Sequence, residues 1–202
     1  MDGLSNQYLG CNLVFSKRKL GTRQIALFSV LVAVSIALQV TKTFLFVEFT
    51  SLIVFSTGVV FGSPLGASLG GLVMFVNGFL SPWGLAGVNM PFQMLGMGIM
   101  GAVGGLYRME SSNSHIGFYA ETAVLGAFLT LVYYLIVNTG YAFQLAFVLS
   151  QIPLLEALVL AQIWGAVFTV LYTVSNTFLF GIGAVPLVNT MQKLLGGGKK
   201  CQ

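Results

Sequence analysis

Few side chains in this sequence are equipped for chemistry, and their types and spacing decide what kind. The 202 residues include one histidine, five carboxylates and two cysteines. Cys11 and Cys201 stand near opposite ends and form no C-x-x-C pair, so their spacing suggests two ordinary thiols and no metal site. His115 follows Ser111, Ser112, Asn113 and Ser114 in a polar stretch, where a solvated loop histidine is the plain expectation. Proteolysis or phosphoryl transfer inside a membrane needs Ser/His or Asp groups clustered within apolar segments, and none can be assembled here. Gly96, Gly98 and Gly101 spell G-x-G-x-x-G, which cradles a pyrophosphate when it follows a strand. Here it sits in the middle of an apolar run with no strand before it, so its glycines read as points of close helix contact. No G-x-x-x-x-G-K-[ST] run occurs, so the chain does not drive its work with ATP unaided. No catalytic residue, metal or cofactor is expected.

Binding chemistry is better supplied. Polar groups within apolar segments are costly and often functional. Glu48 and Glu156 fall near the ends of their segments, and Asn77, Gln93, Asn138, Gln144 and Gln151 fall toward the same side, with Trp83, Tyr133, Tyr134 and Tyr141. Anchoring at a membrane interface accounts for Trp and Tyr. It does not account for amides and carboxylates gathering beside them. An outward-opening cavity lined by aromatic and amide groups does, and such a cavity suits a flat organic ligand. The candidate contacts are Glu48, Trp83, Asn89, Gln93, Tyr134, Asn138 and Glu156. Gln162 and Asn176 lie deeper, where a hydrogen bond between helices is expected.

The elements that must position these groups follow from composition. Charged residues make up 7% of the chain, against roughly 25% of an ordinary soluble domain, and the mean hydropathy is +0.91. Only a bilayer solvates such a surface. Six apolar stretches run over Gln24–Val40, Phe44–Phe61, Pro64–Leu80, Pro91–Tyr107, Phe118–Val137 and Leu154–Phe180, with breaks expected at Ser63-Pro64, Ser81-Pro82 and Gly183–Pro186. The expected fold is an all-α integral membrane bundle of six helices. Its parts are a cytoplasmic segment 1–22, a membrane domain 23–182, and a cytoplasmic tail 183–202 with room for an interfacial helix. Of nine basic residues, Lys17, Arg18, Lys19, Arg23, Arg108, Lys193, Lys199 and Lys200 fall on one side of a six-span chain, leaving Lys42 on the other. This bias places both termini in the cytoplasm. The net charge of +4 therefore belongs to membrane flanks, and no nucleic-acid face is expected. The first apolar run follows about 20 mixed residues without a convincing cleavage site, so no secretory signal peptide is expected.

Small residues mark the packing faces. Gly58, Gly62, Gly66 and Gly70 are spaced four apart, as are Gly101 and Gly105, and such spacing lets backbones approach closely. Ala26, Ser29, Ala33 and Ala37 line one face of the first helix. That stripe can pack within its own bundle or dock a partner helix.

These features resemble the substrate-binding S components of energy-coupling factor (ECF) vitamin transporters. The likeness covers about Arg23 to Phe180. It is carried by Arg23 leading into "IALFSVLVAVSIALQV", by Ala33-x-x-x-Ala37, by "STGVVFGSPLGASLGGLVMFV" and by "LGMGIMGAVGGLYR" ending at Arg108. The resemblance implies a multi-pass protein of the prokaryotic plasma membrane that captures a vitamin-like small molecule. It further implies a transmembrane coupling protein and two cytosolic ATPases as partners, with Ala33 and Ala37 as the docking face. Substrate would bind beneath the outer loops, where Lys42, Glu48, Trp83, Asn89 and Tyr141 lie. A stand-alone channel or facilitator and a structural membrane protein without ligand are the alternatives, the former weakened by the lack of charge rings and internal repeats.

Overall fold

The computed structural model describes residues 21–41, 47–80, 86–107, 116–149 and 152–195. Lys42, Trp83, Arg108, His115, Gln151 and both cysteines lie outside the described residues. The described chain forms six α-helices: α1 (Thr22–Thr41), α2 (Phe49–Phe61), α3 (Ser63–Leu80), α4 (Met90–Leu106), α5 (Ile116–Phe143) and α6 (Leu154–Leu194). A 3-10 turn, Gly87–Asn89, leads into α4, and a π-helical turn, Gln144–Val148, extends α5. Four segments are long and apolar enough to cross a membrane: α1, α3, α5 with its extension, and α6.

The centre is α2. At 13 residues it is about 20 Å long, short of the roughly 30 Å hydrocarbon core. Every residue from Thr50 to Gly58 is buried, so the helix is enclosed on all sides by α1, α3, α4 and α6. Phe55 and Phe180 meet there with ring centroids 5.3 Å apart. The periphery is α1, which packs chiefly on α2 and α3 and buries only Leu31, Ser35 and Gln39.

Glycine brings α2, α3 and α4 together. A Cβ on Gly58 or Gly66 would run into the Gly101 carbonyl, and one on Gly104 into the Phe55 carbonyl. Gly70 lies against the Met97 carbonyl in the same way, and Gly105 against the Ser63 backbone. Ser63 locks the contact by donating to the Ala102 carbonyl at 2.8 Å. Gly62 departs from the expected stripe: it makes the α2–α3 turn with φ of 95°, a left-handed backbone that other residues rarely adopt.

Three expected boundaries move. The second helix begins at Phe49, with Glu48 as its N-cap residue, rather than at Phe44. The fifth continues past Val137, so Asn138 is helical instead of opening an outer loop, and Gln144 begins the π turn. The break expected at Gly183–Pro186 is absent, and α6 runs unbroken for 41 residues with Pro186 inside it. An interior proline costs a helix about 3 kcal/mol. The turns around it bury Ala184, Val185, Val188 and Met191 against the bundle, and such packing by neighbouring helices lets a membrane helix carry an interior proline.

Candidate functional site

At the end of the bundle where Thr41, Phe49, Leu80, Met90 and Phe143 lie, the helices leave a cavity of about 370 Å³. Its lining divides by sequence. From α1 to α4 come Gln39, Glu48, Asn77, Asn89 and Gln93, all of them polar. From α5 and α6 come Tyr133, Tyr134, Val137, Asn138, Tyr141, Gly165, Phe168 and Tyr172, mostly aromatic.

The polar lining is held from behind. Gln39, on the one buried face of α1, accepts a hydrogen bond from the Thr50 hydroxyl at 3.1 Å. Glu48 is 9% exposed and Asn77 5%, so both are withdrawn from bulk water. Asn89 closes the 3-10 turn and Gln93 follows four residues on, which sets both on one face at the start of α4. The Asn77 Oδ1, Asn89 Oδ1 and Gln93 Oε1 atoms are buried without a hydrogen-bond partner in the protein.

The aromatic lining is a stack. Tyr134 and Tyr172 lie nearly parallel with centroids 5.0 Å apart and 23° between planes, and Tyr133 meets Tyr134 edge-on at 5.2 Å. The Tyr133 hydroxyl points to Met74 Sδ at 3.7 Å, fixing that ring against α3. Gly165, Phe168 and Tyr172 follow 3, 4 spacing and so present one face of α6. Gly165 is where Asn138 fits: a Cβ there would collide with the Asn138 amide. That amide donates to Gln162 Oε1 at 3.2 Å, and Gln162 Nε2 reaches the Leu135 carbonyl at 3.4 Å. One turn deeper than Tyr172, Asn176 donates to Thr130 Oγ1 at 3.0 Å. Both amides thus bond between helices as expected, although Gln162, three residues before Gly165, lies nearer the start of α6 than the deeper cavity lining.

Of the residues expected from sequence, Glu48, Asn89, Gln93, Tyr134 and Asn138 meet around this one cavity. Trp83 lies outside the described residues. Glu156 stands in the first turn of α6, exposed, and is not among the lining residues. Asn77, Tyr133 and Tyr141 belong to the polar and aromatic group noted in the sequence but not to the narrower set. Gln39, Val137, Gly165, Phe168 and Tyr172 emerge only from the structure. A usable signal existed for two of these: Gln39 is a lone amide in an apolar run, and Tyr172 repeats the face of Gly165 and Phe168.

Ala26, Ser29, Ala33 and Ala37 are exposed on α1, on the face turned away from the bundle. A second hollow, beside Tyr107, Glu121, Val124 and Phe128 toward the other end of α5, is more open and almost wholly apolar. It offers few groups for orienting a ligand. The 370 Å³ cavity combines stacking surface with unspent amide hydrogen bonds, the equipment of a receptor for a flat, polar-edged molecule.

A family model described as "ECF-type riboflavin transporter, S component" matches residues 19–193. No curated protein and no solved structure matches the chain.

Proposed function

We propose that this chain, which belongs to the family of ECF-type riboflavin transporter S components, captures a riboflavin-type vitamin in the cavity lined by Gln39, Glu48, Asn77 and Tyr172. A member of this family is a multi-pass membrane protein and a vitamin-binding subunit of a transporter, not an enzyme. The observation that carries the assignment to this cavity is its divided lining. An isoalloxazine ring offers a large flat face and a polar edge, and its ribityl chain offers hydroxyls. The tyrosine stack supplies the first kind of partner and the amides supply the second. The volume falls at the lower end of the roughly 300–1,000 Å³ of small-molecule pockets, so the ligand is closely held.

Six crossings with cytoplasmic termini set the cavity at the outer face, where substrate arrives, and the basic residue bias supports this orientation. Delivery then falls to a transmembrane coupling protein driven by two cytosolic ATPases. The exposed Ala33 and Ala37 form the docking face on α1, since small residues let a partner backbone approach closely in lipid.

The direct test is to purify the protein in detergent, identify any copurified ligand by mass spectrometry, and titrate riboflavin. Flavin in the preparation and saturable binding are expected. A different ligand, with no response to riboflavin, would reject the substrate assignment. The docking face is tested by changing Ala33 and Ala37 to Trp, which should abolish copurification with the coupling protein while leaving ligand affinity intact. For orientation, a cysteine placed at Gly87 should react with an impermeant reagent from outside and one at Gly117 should not.

A further inference from the structure

The three cavity amides whose oxygens lack a partner are not scattered. Asn77 ends the buried stripe of α3, and Asn89 precedes α4. Their neighbours Gly78 and Met90 pack so closely that a Cβ on Gly78 would strike the Met90 side chain. The Ala86 N–H is bonded to the Gly78 carbonyl at 3.0 Å, which fixes the start of the 3-10 turn against the end of α3. Two helix ends are thereby clamped together, and Gln93 follows one turn along α4 on the same face as Asn89. Asn89 is itself seated against α5, where Gly140 leaves the space its amide fills. The result is a cluster of side-chain amides held on closely packed backbone, with Asn77 Oδ1, Asn89 Oδ1 and Gln93 Oε1 all buried and unspent.

A buried acceptor without a partner is costly, and a ligand that donates to it recovers that cost on binding. An amide also carries its donor beside its acceptor, so its natural complement is another amide-like edge. We propose that Asn77 Oδ1 accepts the imide N–H of the ligand's pyrimidinedione edge, with the amide NH2 groups of Asn89 and Gln93 donating to the carbonyls on either side, while the Tyr134–Tyr172 stack lies along the ring face. This rests on the riboflavin-type reading above and deepens it. Asn77 becomes a specificity-determining residue, the one whose amide is most fully withdrawn from solvent among the three. The edge selected is an imide with a free N–H; the ribityl chain lies elsewhere in the cavity.

The test compares riboflavin, 3-methylriboflavin (imide N–H blocked) and lumiflavin (ribityl chain replaced by methyl) on the purified full-length protein by equilibrium titration. Blocking the imide should weaken binding to the wild-type protein at least tenfold, and lumiflavin should lose less than that. In Asn77→Leu the penalty for 3-methylation should shrink to twofold or less, because the group that read the N–H is gone. Should Asn77→Leu fail to give monodisperse protein, Asn77→Ser, which keeps a small polar side chain too short to reach the imide, answers the same question. Equal affinity of the wild-type protein for riboflavin and its 3-methyl derivative overturns the proposal while leaving the riboflavin-type reading in place. An unchanged penalty in a folded variant also overturns it. No binding of any flavin overturns the riboflavin-type reading, and this inference with it.

Discussion

The two halves of the cavity lining solve different problems. Glu48, Asn77, Asn89 and Gln93 come from or beside helices α2, α3 and α4, whose backbones are brought together largely by glycine, with Gln39 added from α1, whereas Tyr133, Tyr134, Phe168 and Tyr172 come from two long helices that pack through side chains. Directional hydrogen bonds need polar atoms fixed to within a fraction of an ångström. Backbone-on-backbone contacts at Gly58, Gly66 and Gly101 provide that fixity because they leave no side chain free to rearrange. Stacking is more forgiving. A ring tolerates sliding over another ring, so it can be carried by α5 and α6, whose outer faces expose Val124, Phe128, Val167 and Phe178. Precision and adhesion are thus assigned to different parts of the chain.

The largest expected effect strikes the glycine-packed half. Gly101→Leu places a side chain into the Gly66 backbone and should cost about 3 kcal/mol or more, seen as loss of monodisperse protein. Gly98→Leu is its control: the nearest atom to a Cβ there is the Ala67 carbonyl oxygen at 3.7 Å, and the protein should fold normally. Equal damage from both would break the distinction between rigid and adaptable halves. Next is Tyr172→Ala, which removes one partner of the parallel stack. Aromatic pairing contributes about 0.5–1.5 kcal/mol beyond buried area, so ligand affinity should fall about tenfold or more, and the lost contact with Tyr134 should lower the thermal midpoint, by less than Gly101→Leu does. Gly165→Ala should act more mildly, pushing the Asn138 amide aside and weakening ligand binding several-fold at nearly unchanged stability. The smallest is Thr50→Val. It removes one hydrogen bond to Gln39, worth about 1 kcal/mol, and should lower affinity about fivefold if Gln39 orients the ligand. A larger loss than from Tyr172→Ala would reverse the ranking of the two linings.

Much of this was legible along the chain. Sparse charge and six apolar runs call for a membrane-embedded helical chain, and Glu48, Asn89, Gln93 and Asn138 stand out because amides and carboxylates are out of place beside apolar runs, with Tyr134 drawn in by the side it shares with them. The close packing of Gly58, Gly66 and Gly101 follows from small residues at helical spacing. Residue type and period are local quantities, and the bilayer makes them unusually informative by penalising every unpaired polar group.

Other features depended on the assembled bundle. Helical spacing says which residues share a face but not which neighbour that face meets, because the rotation of each helix about its axis is set by packing. Only that rotation brought Gln39, Asn77 and Tyr172 to one cavity from three separate helices, and left Glu156 outside it. It also decided that α1 turns Ser35 and Gln39 inward, leaving Ala33 and Ala37 exposed. Pro186 makes the same point for the backbone. Its ring argues for a break when read locally, yet α6 continues through it, with Val185, Val188 and Met191 packed against other helices on either side.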